Sequence, residues 1–213
     1  MLPKQENKSS RRDVIKKSGS AVTLMMLGCR DDLSYQVSVK VPHDSVDILE
    51  QCEPSAPDME GPYYREDIPV RSELDVYDDE AQSIIVSGQV CDLDCKPISF
   101  AIVEVWHADT SGEYDTVSSE MRYYGQLETD ETGFYAFRTI IPAAYQTAPN
   151  DYRPKHFHIK IWVQGTEMLN TQLYFENDEF ISYEPDINPD LILQLVAGEI
   201  VTAEHNFYVA RPS

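Results

Sequence analysis

A single His-x-His pair, His156 and His158, lies at the head of the apolar-rich run His156–Val163. Such a run reads as a β-strand. Side chains two apart on a strand share a face, so both imidazoles can reach one metal ion. The neighbourhood is rich in tyrosine, with Tyr145 and Tyr152 just before the pair and Tyr114 further upstream, and it offers no carboxylate or thiolate partner at ligand spacing. Two imidazoles with two phenolates suit a hard, highly charged ion, and iron(III) fits. Zinc, normally held by His, Cys or carboxylate, does not.

Donors of this kind need a rigid frame, and the surrounding pattern is one of short strands broken by turns. Strands are predicted at Ser83–Cys91, 101–107, 125–129, Phe134–Ile140, His156–Val163, 171–175 and 203–209. Turn-rich stretches separate them, Asp92-Leu93-Asp94-Cys95-Lys96-Pro97 and Asp130-Glu131-Thr132-Gly133 being the clearest. This predicts an all-β domain, a β-sandwich of short antiparallel strands with long active-site loops and little helix. The one helix-like stretch, 189–197, is expected to be peripheral. Metal residues at strand ends and in loops are what a rigid scaffold holding a site would show. There is no internal repeat and no low-complexity tract.

The chain resembles the intradiol ring-cleavage dioxygenases, the non-haem iron(III) enzymes that split catechols between their two hydroxyls. Matching blocks occur in order from Glu60-Gly61-Pro62-Tyr63-Tyr64 to about Phe175. They include Val103-Glu104-Val105-Trp106-His107-Ala108-Asp109, Gly112-Glu113-Tyr114, the run from Thr129 to Ile140, Pro142-Ala143-Ala144-Tyr145, Arg153-Pro154-Lys155-His156-Phe157-His158 and Thr171-Gln172-Leu173-Tyr174-Phe175. The stretches 150–154 and 173–176 are closer to protocatechuate-type than to catechol-type members.

The resemblance implies a non-haem Fe(3+) cofactor with Tyr114, Tyr145, His156 and His158 as its ligands. It places Arg153 over the bound ring, where a permanent charge can stabilise negative charge developing during attack by oxygen. Tyr145 is implied to be catalytic as well, and substrate is implied to displace one of the two tyrosinates. Gln172 is expected to line the pocket, and Tyr63 or Tyr64 to form its mouth. His107 is not counted as a ligand. The implied substrates are a small catechol-type molecule and O2.

With 213 residues the chain supports one ordinary domain, expected at 61–213, after a linker or N-terminal arm at 30–60. The formal net charge of -20 argues against a nucleic-acid or anionic-membrane surface. Residues 1–29 differ from the rest. Ser10-Arg11-Arg12-Asp13-Val14-Ile15-Lys16 resembles a twin-arginine export signal, and the apolar stretch from Ala21 to Leu27 is too short to span a bilayer. It ends at Gly28-Cys29, which resembles a lipoprotein cleavage box, so the expectation is an exported, periplasmic or cell-envelope protein, lipidated at Cys29 and touching membrane only through that anchor. In that setting a disulfide among Cys52, Cys91 and Cys95 is expected, with one thiol left over and the pairing open. The resemblance leaves room for a homo-oligomer.

Two other function classes remain to be weighed. One is a non-catalytic sandwich domain binding aromatics or sugars, since a fold does not fix a function. The other is a metal-dependent hydrolase, which would need a carboxylate base that does not accompany the histidines.

Overall fold

A computed structural model describes residues 51–77 and 80–212. The expected leader at 1–29, Cys29 and most of the expected arm at 30–60 lie outside the described residues. In chain order the strands are β1 (Ser83–Cys91), β2 (Ile102–Trp106), β3 (Tyr124–Glu128), β4 (Phe134–Ile140), β5 (Tyr145–Ala148), β6 (Asp151–Arg153), β7 (His156–Val163), β8 (Thr166–Phe175), β9 (Ile192–Leu193), β10 (Val201–Glu204) and β11 (Phe207–Tyr208). Two short 3-10 helices, Ile181–Tyr183 and Pro189–Leu191, complete the described elements.

One sheet has the order β3-β2-β7-β8-β9. In the other, β1 pairs with β4 along one edge and with β10 and β11 along the other, and β5 with β6 forms a separate hairpin. The two large sheets share one apolar core, in which Ile84 and Val86 of β1 and Phe137 of β4 join Val103 and Val105 of β2, Phe157 and Ile159 of β7 and Leu173 of β8. The Phe137 and Phe157 rings meet edge-to-face across the layers, centroids 5.7 Å apart. Each such side chain contributes about 1.5–3 kcal/mol by leaving water, which makes this interior the frame's main support.

The sandwich is all-β as expected, but it is not purely antiparallel: β10 and β11 run parallel to β1, and β9 runs parallel to β8. Local patterning reports which faces are buried, not the direction of a distant partner, so strand sense lay beyond it. The single strand expected at 203–209 is split at His205 and Asn206. There the chain crosses directly over Gly88, where a β-carbon would fall 1.8 Å from the His205 carbonyl oxygen, and Asn206 Oδ1 accepts a hydrogen bond from the Gln89 backbone N–H at 2.9 Å.

The helix-like stretch at 189–197 is corrected to one 3-10 turn followed by β9. Asn188 caps the turn by accepting the Asp190 N–H at 3.0 Å, and Ile192 and Leu193 then pair with Tyr174 and Phe175. Pairing with β8 buries Leu191 and Leu193 together, which a free helix would not achieve.

The described part of the N-terminal arm is docked. The Ser55 N–H donates to Tyr208, Thr171 Oγ1 donates to the Ala56 carbonyl, and Asp58 and Asn170 exchange backbone and side-chain bonds. Cys52 is disulfide-bonded to Cys95 in the β1–β2 turn, which leaves Cys91 as a buried free thiol.

Candidate metal centre

β7 is the middle strand of the five-stranded sheet, and its two faces do different work. Phe157, Ile159 and Ile161 enter the core between the sheets, while His156, His158 and Lys160 alternate onto the opposite face. That face is covered by Ile68, Trp106, Ala108, Tyr114 and Tyr124, with Tyr63, Tyr64 and Tyr145 packed against them. In the ladder, His158 lies opposite Trp106 of β2 and Gln172 of β8. The Trp106 ring stacks flat on the His158 imidazole, centroids 4.8 Å apart and planes 5° from parallel. This fixes the ring's orientation.

Tyr114 arrives from a turn that its own sequence builds. Asp109 Oδ1 accepts the backbone N–H groups of Ser111 and Glu113 at 2.8 and 3.0 Å, an Asx-type turn. Gly112 sits at φ +84°, and a β-carbon there would fall 2.7 Å from Tyr145 Cβ, so glycine lets the two tyrosine-bearing segments meet. Tyr145 opens β5 and pairs in register with Arg153 of β6, so one hairpin delivers both to the same place.

The structure brings the predicted donors together. Tyr114 Oη lies 3.1 Å from His156 Nε2 and 3.1 Å from His158 Nε2, and the two Nε2 atoms are 3.1 Å apart. The Tyr145 ring stands perpendicular to Tyr114 at 5.9 Å between centroids. Metal–nitrogen bonds of about 2.0–2.1 Å place neighbouring ligand atoms about 2.8–3.4 Å apart between octahedral and tetrahedral angles. The triangle falls inside that span.

Proton bookkeeping points the same way. His156 Nδ1 donates to the Pro154 carbonyl at 2.7 Å, which leaves its Nε2 as a bare lone pair. His158 Nδ1 is buried with no well-formed hydrogen bond, so nothing firmly fixes its tautomer. One cation at the centre would satisfy the phenol oxygen and both Nε2 atoms at once. Burial holds His156 neutral, its pKa lowered to about 3, and holds His158 well below its ordinary value, so both keep lone pairs free for a metal at neutral pH. Burial also raises Tyr114 and Tyr145, so without a cation both stay protonated. Among the described residues no group of three or more His, Cys, Asp and Glu side chains converges, here or elsewhere. The donor set is therefore imidazole and phenol, which fits iron(III).

Beside these donors lies a cavity of about 200 Å³, lined by Met59, Gly61, Pro62, Tyr63, Tyr145, Thr147, Arg153 and His158. It is smaller than the ~300–1,000 Å³ of drug-sized ligand sites and suits a single ring. Tyr63 is part of it, stacked on Tyr114 at 4.2 Å. Tyr64 is not. It turns to the other side, donating to Glu104 at 3.1 Å beneath the Lys160 ammonium, which is 3.7 Å from its ring centre.

Gln172 also differs from expectation. It is fully buried behind the cavity wall, where its Oε1 accepts from Arg153 Nη2 at 2.5 Å and its amide donates to the Met59 carbonyl at 2.7 Å. It braces Arg153 instead of lining the pocket. His107 is a satisfied core histidine, bonded to the Ala108 carbonyl at 2.7 Å and Thr139 Oγ1 at 2.6 Å. Sequence reasoning missed Trp106 as the platform under His158 and Glu184 as a partner of Arg153. The first lay in a matched block. The second sits 31 residues from Arg153, with no spacing signal to join them.

The family profile described as "Dioxygenase" matches residues 59–208. A chlorocatechol 1,2-dioxygenase of Pseudomonas sp. (strain P51) is 33% identical over 174 residues, covering 71% of this chain and 68% of its own length. Across the chlorocatechol 1,2-dioxygenases matched, the chain spans 58–68% of the relative's length. Among solved structures, the dioxygenase domain of a dioxygenase carbohydrate-binding protein fusion from Streptomyces sp. SirexAA-E superposes with a TM-score of 0.68 at 30% identity, over 75% of this chain and 100% of that one. The 3-chlorocatechol 1,2-dioxygenase of Rhodococcus opacus 1CP gives 0.67 at 29% identity, over 74% and 73%.

Proposed function

Since the chain belongs to the intradiol dioxygenase family, we propose that it cleaves a catechol-type ring between its two hydroxyl-bearing carbons, using O2, to a cis,cis-muconate-type dicarboxylic acid. The observation that carries this reading is the 3.1 Å triangle of Tyr114, His156 and His158 opening beside a one-ring cavity walled by Tyr145 and Arg153. Catechol plus O2 has the atomic composition of the product, so no external reductant is needed.

Tyr114, Tyr145, His156 and His158 would hold non-haem iron(III), which supplies chelation of the two hydroxyls and activation of the ring toward oxygen. The chain's own residues do the rest. The neutral imidazoles give lone pairs without first losing a proton. Tyr145, half-buried at the cavity wall, would hold the ion as its phenolate, the form that can take up a substrate proton. Tyr63, Pro62 and Met59 would flank the ring. Arg153 sets a permanent positive charge at the wall, aimed where negative charge gathers during reaction. A binding module for sugars or aromatics would have no use for such a donor triangle.

Protein reconstituted with iron(III) is expected to hold one iron per chain, to be coloured by phenolate-to-iron charge transfer, and to consume one O2 per catechol. Stoichiometric zinc in native protein, colourless and inert to catechol, would overturn the assignment.

The residues before the arm support a second proposal, export. Arg11-Arg12, the apolar stretch to Leu27 and Gly28-Cys29 make the signal, and the Cys52–Cys95 disulfide suits an oxidising compartment. Mass spectrometry of protein from its native host is expected to show a chain beginning at acylated Cys29. An intact Met1 on cytoplasmic protein would contradict it.

A further inference from the structure

Arg153 is the one formally charged side chain lining the cavity, yet both ends of its guanidinium are already engaged. Nη1 is 2.7 Å from Glu184 Oε1 and 3.7 Å from Met59 Sδ; Nη2 is 2.5 Å from Gln172 Oε1. An arginine clasps a ring carboxylate best with two parallel N–H groups, and each of its two terminal nitrogens already donates to another acceptor here. Its charge is opposed as well. Glu184 pairs with it at 2.7 Å, and Asp58, which accepts the Tyr174 hydroxyl at 2.8 Å, lines the same neighbouring recess as Arg153 and Glu184. Two carboxylates thus stand beside the one guanidinium of this wall.

Glu184 is not on Arg153 by accident of the surface. It directly follows the 3-10 turn Ile181–Tyr183, which is fixed to the β6 strand by aromatic contacts, Phe180 stacking on Tyr152 at 4.4 Å and Tyr183 meeting it edge-on at 5.6 Å. Asp178, almost fully buried, ties down the start of the segment by accepting the Phe180 N–H at 2.7 Å and the Lys155 N–H at 3.1 Å. The carboxylate it delivers is less than a third exposed, so water screens the pair less than it would an open surface pair. The remaining wall, Met59, Gly61, Pro62, Tyr63 and Thr147, is uncharged.

Building on the ring-cleavage reading, we propose that Glu184 is a specificity-determining residue: by occupying Arg153 it restricts the enzyme to catechols whose ring substituents are uncharged, and it turns away those that carry a carboxylate. Arg153 then serves the charge that develops in the reaction and has no part in holding a substituent. A ring carboxylate entering this cavity meets an otherwise uncharged wall, a guanidinium already paired with Glu184 and Gln172, and the like charges of Glu184 and Asp58.

The test compares kcat/KM for 4-methylcatechol and 3,4-dihydroxybenzoate in the iron-loaded full chain and in its Glu184→Gln variant. The native protein is expected to favour 4-methylcatechol by on the order of 10²-fold. Glu184→Gln is expected to narrow that ratio by about tenfold, the effect of removing one like charge several ångströms away in partly buried surroundings. The ratio is read within one preparation, so a loss of folded or iron-loaded protein lowers both rates and leaves it unmoved. A native preference for 3,4-dihydroxybenzoate, or a ratio unchanged by Glu184→Gln, would overturn the role of Glu184 while leaving ring cleavage standing. Absence of oxygen uptake with either catechol in iron-loaded, coloured protein would overturn the ring-cleavage reading and this inference with it.

Discussion

His158→Ala is expected to lose the iron and, with it, all measurable turnover. His158 supplies one corner of the 3.1 Å triangle, and the Trp106 ring stacked on it at 4.8 Å holds that corner in place. Removing even an outer partner of a metal ligand typically costs about 10–100-fold in metal affinity, and removing the ligand itself should exceed that. Iron content should fall below about a tenth of an equivalent, the charge-transfer colour should vanish, and oxygen uptake with catechol should drop by more than about 10³-fold. The fold should persist, because the core between the sheets is built from Phe157 and Ile159 on the other face of the same strand. Circular dichroism checks the fold and elemental analysis checks the metal. A folded His158→Ala protein that still carries one iron and its colour would remove His158 from the ligand set.

Arg153→Ala separates chemistry from metal binding. Arg153 touches Glu184, Gln172 and Met59 but belongs to no corner of the triangle, so the variant should keep its iron and colour. Catechol should still bind and shift the spectrum. Turnover should nevertheless fall by roughly 10²–10³, the usual effect of deleting one preorganised electrostatic group. Arg153→Lys keeps a charge but not the planar fork, and should recover only part of the rate. Near-normal turnover in iron-loaded Arg153→Ala would make this arginine a structural brace for Gln172 and Glu184 alone.

Much of this site is legible without coordinates because its chemistry is local in sequence. His-x-His on a strand fixes two donors to one face whatever the rest of the fold does, and the strand bounds His156–Val163 coincide with β7. The aspartate and glycine of the Asp130–Gly133 turn likewise act within a few residues of each other, Asp130 Oδ1 accepting the Thr132 and Phe134 N–H groups at 2.7 and 3.0 Å. Strand existence follows from the same short-range alternation, which is why β1 and β4 match their expected bounds.

What the tertiary structure decided is everything that depends on a distant partner. The sense of β9, β10 and β11 depends on which strand edge was left open for them. The break at His205 and Asn206 comes from their passage over Gly88. The disulfide joins Cys52 to Cys95 because the docked arm brings Cys52 beside the β1–β2 turn, where its N–H reaches the Leu93 carbonyl at 2.9 Å; Cys91 on the strand points inward. Tyr63 and Tyr64 are equivalent in sequence, and only the wall they pack against sends one to the cavity and the other to Glu104. Gln172 looked like a pocket residue from its block, yet its place opposite His158 on β8 buries it behind Arg153. The donors could be read from residue types because coordination depends on what a side chain is; the surroundings of Arg153 could not, because they depend on which side chains the folded chain sets beside it.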